Sequence, residues 1–154
     1  MIPALIVHGG AGKVPEERRE PARQGCLEAA LAGLRVLAAG GRALAAVEAA
    51  VRVLEDDPLF NAGTGSVLNR ESNVEVDAAI MDGESIRIGA VGAVPDLAQA
   101  IALARAVLDD GEHVLLVGPA AWDFARTRGF EPAPPWTISA GITAGLRRRR
   151  SGSR

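Results

Sequence analysis

The sequence predicts an α+β fold in which helices cover a mostly antiparallel sheet, and three observations carry that expectation. Apolar residues recur at intervals of three and four at Leu27, Leu31, Leu34 and Leu37, and again at Leu97, Ile101, Ala104 and Leu108. That is the period of a helix with one buried face. Residues 66–69, 74–81 and 85–94 read as three successive short strands, the last two joined by Asp82-Gly83, a hairpin signal. The order of elements (strand, two helices, three strands, helix, strand, helix) lacks the regular alternation of a doubly wound parallel sheet.

Composition bounds the function. The chain has 154 residues, 48% of them hydrophobic, enough for one domain with a real core. Its formal charge of −2 hides an asymmetry. Arg147, Arg148, Arg149, Arg150 and Arg154 form a basic end that reads as solvated and disordered, and the rest of the chain is acidic. An acidic body argues against a nucleic-acid-binding domain, whose positive charge lies on the folded surface. A single cysteine, Cys26, excludes an internal disulfide and a cysteine zinc site. It fits a reducing, cytoplasmic setting and reads as a buried structural thiol. Met1–Val7 lacks a basic leader and runs into glycines, and no apolar run approaches the roughly 20 residues that span a bilayer. No membrane role is expected.

Residues 3–7 form a short apolar run between Pro3 and His8-Gly9-Gly10-Ala11-Gly12, the pattern of a buried first strand. The glycines suit a tight turn or a phosphate-binding loop, but their spacing matches neither the dinucleotide fingerprint nor the P-loop. His8 has no partner nearby and reads as a packed, hydrogen-bonded histidine. Pro15-Glu16-Glu17 opens a helix that should end near Gly40-Gly41. A second helix, about Leu44–Leu54, follows as an antiparallel hairpin, with Val47, Val51 and Leu54 on one face and alanines for close packing. Arg70–Asn73 is the turn after the first of the three strands. Residues 97–108 are helical and exit at Asp109-Asp110-Gly111; His113–Gly118 is an apolar strand and Pro119–Thr127 a short helix. Pattern ends near residue 130, so residues 1–130 form the domain and 131–154 a proline-rich, then arginine-rich tail expected to be disordered.

The stretch from Leu54 to Asn69 stands apart, being polar and glycine-rich between apolar regions. Glu55, Asp56 and Asp57 crowd the end of a helix, where the macrodipole disfavours negative charge. Two readings stay open: a solvated acidic helix end, or a cation held by helix-end and loop carbonyls. Calcium-loop spacing is missing. Ser66, Thr64 and Ser85 lack a base at recognisable spacing.

Four blocks in register then carry a resemblance: His8–Gly12, Leu54–Gly65, Val76–Gly83 and Gly89–Val94. Over residues 3–130 the chain resembles the α-subunit half of the plant-type L-asparaginase/isoaspartyl peptidase family of N-terminal nucleophile hydrolases. The resemblance implies half of a four-layer αββα sandwich. It implies a precursor cut before a threonine, which then attacks asparagine or β-aspartyl dipeptides. It implies that the backbone carbonyls of Leu54, Glu55, Asp57, Phe60, Ala62 and Thr64 hold a structural sodium ion. It places Asn61 beside the nucleophile, with Gly9 and Gly10 in a loop bordering the cleavage site. Asp77 and Asp82 are expected to serve the hairpin and sheet.

The family's Thr-Val-Gly-Ala-Val type block and the substrate-binding residues that follow it are not found in these 154 residues, and Gly63-Thr64-Gly65 aligns inside the loop instead. A threonine that serves as its own base is needed for this chemistry. The expectation is therefore a chain inactive alone, from a truncation or split gene, that needs a complementary β subunit in a heterodimer or dimer of heterodimers and carries no other cofactor. A half sandwich would leave one sheet face open. The alternatives are a non-catalytic remnant or interaction module of the same fold, and a small nucleotide-binding domain on the glycine loop.

Overall fold

A computed structural model describes residues 2–133. In chain order the elements are α1 (Glu16–Ala38), α2 (Ala43–Asp56), a 3-10 turn (Gly63–Gly65), β1 (Glu75–Asp82), β2 (Arg87–Pro95), α3 (Ala100–Asp110), β3 (Leu115–Val117) and α4 (Pro119–Thr127). The α+β class stands. Among the described residues no helix is long and apolar enough to cross a membrane.

The sheet is mixed. β1 and β2 pair antiparallel, but β3 adds to β2 in parallel. The expectation of a mostly antiparallel meander holds for the hairpin alone. α3 carries the chain back along the sheet between β2 and β3, which makes one crossover unit and fixes the parallel sense. The hairpin itself closes over a four-residue turn, Gly83–Ile86, with Ile86 at φ 55°. Asp82 accepts hydrogen bonds there from the Glu84 N–H and the Ser85 hydroxyl, as expected of a turn aspartate.

The core lies between one sheet face and the helices. Val76, Ile80, Val91 and Val94 meet Leu97, Ile101, Leu103, Val107 and Leu108 of the α3 region and Trp122 of α4, all buried. The approach is backbone against backbone at Gly89, where an added Cβ would lie 2.3 Å from the Ala104 carbonyl oxygen. On the opposite face Met81 and Ile88 stay exposed.

Four further sequence expectations are corrected. The strand over 3–7 does not form: the segment has the alternation of a strand, with Leu5 and Val7 half-buried and Ile6 exposed, but no β partner among the described residues. Residues 66–69 supply only an isolated bridge between Leu68 and Val74. The leucine stripe of α1 faces outward, with Leu27, Leu31 and Leu34 each about 40% exposed. The buried face is instead Gly25, Ala29 and Gly33, with Gly33 against Ala46 of α2 and Gly25 against Phe60 of the following loop. Small residues win because they let the helix backbones close: a Cβ on Gly33 would lie 2.7 Å from the Ala46 carbonyl oxygen. Cys26, one position beyond Gly25, is accordingly half-buried rather than buried. Ala133 N–H donates to Asp96 O at 2.6 Å, which fastens the start of the expected tail to the domain; residues 134–154 lie outside the described residues.

Candidate functional site

The loop after α2 is a chain of short-range hydrogen bonds. Asp57 Oδ1 accepts the Leu59 N–H at 2.9 Å, and the Asp57 carbonyl accepts the Phe60 N–H at 3.2 Å. The Ala62 and Gly63 carbonyls then accept from Gly65 and Ser66 and form the 3-10 turn. Asn61 Oδ1 closes the loop by accepting the Val67 N–H at 2.9 Å. Loop carbonyls crowd the turn: a Cβ on Gly65 would lie 2.0 Å from Phe60 O, and one on Gly63 would lie 2.5 Å from Glu55 O. Only glycine permits this approach.

Phe60 anchors the loop to the N-terminal segment. Its ring is buried between two glycines, and a Cβ on Gly9 or Gly25 would come within 2.7 Å of ring carbons. Gly9 is thus required by close contact, whereas Gly10 is required by its φ of 111°. His8 Nδ1 accepts the Gly10 N–H at 3.1 Å, so that histidine is hydrogen-bonded as expected, although it is exposed rather than packed.

Glu55 is the residue that sequence reasoning undervalued. One reading left its carboxylate in a solvated acidic helix end, yet the residue is only 3% exposed and Oε1 accepts the Ile101 N–H at 2.9 Å. Ile101 is in the first turn of α3, which holds no acid and whose preceding residue Gln99 makes no side-chain cap. Glu55 therefore satisfies an orphan helix donor from 46 residues away. Oε2 is buried without a protein partner among the described residues. Burial pushes the Glu55 pKa up to about 7, opposed by the Ile101 N–H and assisted by the charge on Asp56. The usable signal was the uncapped start of α3, which demands an acceptor from elsewhere in the chain.

These elements enclose two clefts that meet at Asn61. The larger, about 580 Å³, lies between the His8–Pro15 segment and the loop and is lined by Gly9, Gly10, Leu54, Phe60, Asn61 and Ala62 among others. The expected support residues Asn61, Gly9 and Gly10 thus come together in one cleft. The smaller, about 370 Å³, has Glu55, Asn61, Ser66, Glu75 and Asp77 in its wall. Asp77 Oδ1 accepts the Ala93 N–H at 2.8 Å across a β-bulge, the sheet role expected of it. Apart from the loop, Asp110, Glu112 and His113 on the α3–β3 connection bring one ligand atom each within 4.8 Å of the others. Asp110 is there ion-paired with Arg128.

The architecture is that of an α+β domain whose larger cleft is built mostly from backbone, with Asn61 shared between the two clefts. An asparaginase family model matches residues 1–152, and the chain belongs to that family. It is 48% identical over 134 residues to the isoaspartyl peptidase/L-asparaginase of Xenopus laevis, covering 87% of this chain and 43% of that protein. It is 51% identical over 135 residues to the plant-type L-asparaginase of Thermococcus kodakarensis, covering 87% and 44%. The Bos taurus isoaspartyl peptidase/L-asparaginase is 49% identical over the same length and shares. The chain spans less than half the length of these relatives.

Proposed function

We propose that this chain is the α-subunit-like part of a threonine-nucleophile amidohydrolase acting on L-asparagine or β-aspartyl dipeptides. The observation that carries the reading is the meeting of Asn61, Gly9 and Gly10 around one cleft, in a chain about half identical to relatives named for these activities. The nucleophile comes from a complementary β-like segment, in a heterodimer or a pair of heterodimers. Asn61 Oδ1 is committed to the Val67 N–H, so its amide N–H groups remain to donate toward that threonine or its oxyanion.

The loop is read as a rigid platform with a sodium ion as its structural cation. Glu55 O and Phe60 O crowd the glycines of the 3-10 turn, and uncharged carbonyl oxygens are a suitable donor set for a hard monovalent cation. With Leu54, Asp57, Ala62 and Thr64 they are the residues that would hold it. A bound cation would supply charge and rigidity to the loop, not chemistry.

The test is co-expression with the complementary segment of the Thermococcus kodakarensis relative, followed by assays of ammonia release from asparagine and of β-aspartyl dipeptide cleavage. Turnover is expected from the complex and not from the chain alone. A stable complex without turnover on either substrate would refute the proposal. A second reading, a non-catalytic interaction module, draws on the exposed apolar residues Val114, Leu115 and Val117 at the β3 edge. Under it the chain alone forms a stable, soluble species that does not take up a complementary segment, as size measurement would show.

A further inference from the structure

One face of the sheet has no cover among the described residues. Ile88, Ala90 and Gly92 of β2 point away from Val91 and the buried core, and the register sets Met81 beside Ile88, Ala79 and Leu115 beside Ala90, and Val117 beside Gly92. Met81, Ile88, Leu115 and Val117 are each 40–54% exposed. The acids on this side, Glu75 and Asp77, lie at the bulged end of β1. An apolar sheet surface left to water invites a covering element.

The sequence holds a segment of matching pattern. The expectation of a disordered tail rests on the prolines and arginines at its two ends. Between them Trp136, Ile138, Ala140, Ile142, Ala144 and Leu146 alternate strictly with Thr137, Ser139, Gly141, Thr143 and Gly145. That is the period of a strand with one apolar side. Its starting point is fixed by the structure: the Ala133 N–H donates to Asp96 O, one residue beyond the end of β2, the central strand. Pro134 and Pro135 reach about 7 Å from there, enough to gain a three-stranded sheet roughly 10 Å wide. Residues 136–146 extended would span about 36 Å, against about 30 Å for the nine residues of β2. Charge favours the same encounter, because the tail carries five of the chain's 17 basic side chains and none of its 19 acidic ones.

We propose that residues 136–146 of this chain lie along the open sheet face, running from the Val117 end toward Met81 and Ile88, with Trp136, Ile138, Ile142 and Leu146 turned onto it. The strap closes the face in the isolated chain, and anything else that docks there must displace it. This inference goes beyond the amidohydrolase reading and does not rest on it.

The experiment is nuclear Overhauser spectroscopy of the full 154-residue chain with labelled methyl groups. Contacts from the Ile138, Ile142 or Leu146 methyls to those of Ile88, Leu115 or Val117 are expected, with the same intensity per labelled chain after dilution into unlabelled chain. The double variant Ile138→Asp, Ile142→Asp leaves every core residue of the described domain in place and keeps the fold. It loses these contacts, shifts the Leu115 and Val117 methyl signals, and shows a folding constant from urea unfolding roughly tenfold lower than that of the wild type. Absence of the contacts overturns the proposal, as do contacts that fade on dilution, which would make a second copy the occupant. Unchanged Leu115 and Val117 signals in the variant, or a folding constant within about twofold of the wild type, overturn it as well. No completing segment or substrate enters these measurements, so their failure and a failure of the turnover assay are separate results.

Discussion

Replacing Glu55 tests the energetic account of the site most directly. The carboxyl titrates near 4.5 in an unfolded chain and about 7 when folded. At 1.36 kcal/mol per pH unit, the folded chain with Glu55 ionised gives up about 3 kcal/mol relative to the protonated form. Because the native state holds the proton more tightly, this stability is fully present below pH 4.5, falls as pH rises to about 7, and is level above that. In Glu55→Gln the amide oxygen replaces Oε1 as acceptor for the Ile101 N–H and carries no charge. The variant should match the wild type near pH 4.5 and exceed it by up to about 3 kcal/mol near pH 8. Glu55→Ala instead strands the Ile101 N–H and opens a cavity, a loss of about 2–4 kcal/mol at every pH. The assay is urea unfolding across this range in sodium-free buffer, so that no loop cation acts on the carboxylate. A wild type that gains stability between pH 4.5 and about 8, or a glutamine variant less stable than wild type at the upper end, refutes the argument.

Other substitutions probe single contacts. Gly89→Ala places a methyl 2.3 Å from Ala104 O and 2.4 Å from Leu108 N, both backbone atoms. The strand and α3 must separate, and a loss of about 3 kcal/mol is expected as a lower urea midpoint with unchanged slope. Asn61→Ala frees one exposed N–H, so chain stability should fall by no more than about 1 kcal/mol, while turnover in the completed enzyme is lost; a matching loss of both would make Asn61 structural only. Exchanging sodium for choline should speed amide hydrogen exchange at Gly65 and Ser66, the donors of the 3-10 turn, and leave the α3 amides unchanged. Equal exchange at Gly65 and Ser66 in the two salts would remove the loop cation.

What the sequence revealed depended on whether the relevant partner was local. The Leu97, Ile101, Ala104 and Leu108 period picked out buried residues correctly, although α3 begins only at Ala100 and Leu97 lies before it. The same reasoning chose the wrong face of α1, since Gly25, Ala29 and Gly33 are invisible to a search for apolar bulk, yet they are the buried ones and Gly33 lets the helix backbones close. Residues 3–7 have strand chemistry without a strand, because hydrogen-bonded pairing requires a neighbour that one segment cannot specify. The parallel sense of β3 was legible only by tracing where α3 delivers the chain. At the site, the four blocks singled out Asn61, Gly9 and Gly10, which line one cleft, but the role of Glu55 depends on a helix start 46 residues away.

The Gly9–Phe60–Gly25 sandwich also bears on the order in which the molecule assembles. One ring is gripped by two glycines that lie 51 and 35 positions earlier in the chain, so its burial requires closing two long loops at once. The helical hairpin of α1 and α2 has mostly short-range contacts and can form first. Residues 2–10 then have a seat only after the ring has turned inward. The N-terminal segment should therefore be among the last parts to order and the first to open, which makes the glycine border of the candidate site the region most responsive to whatever docks beside it.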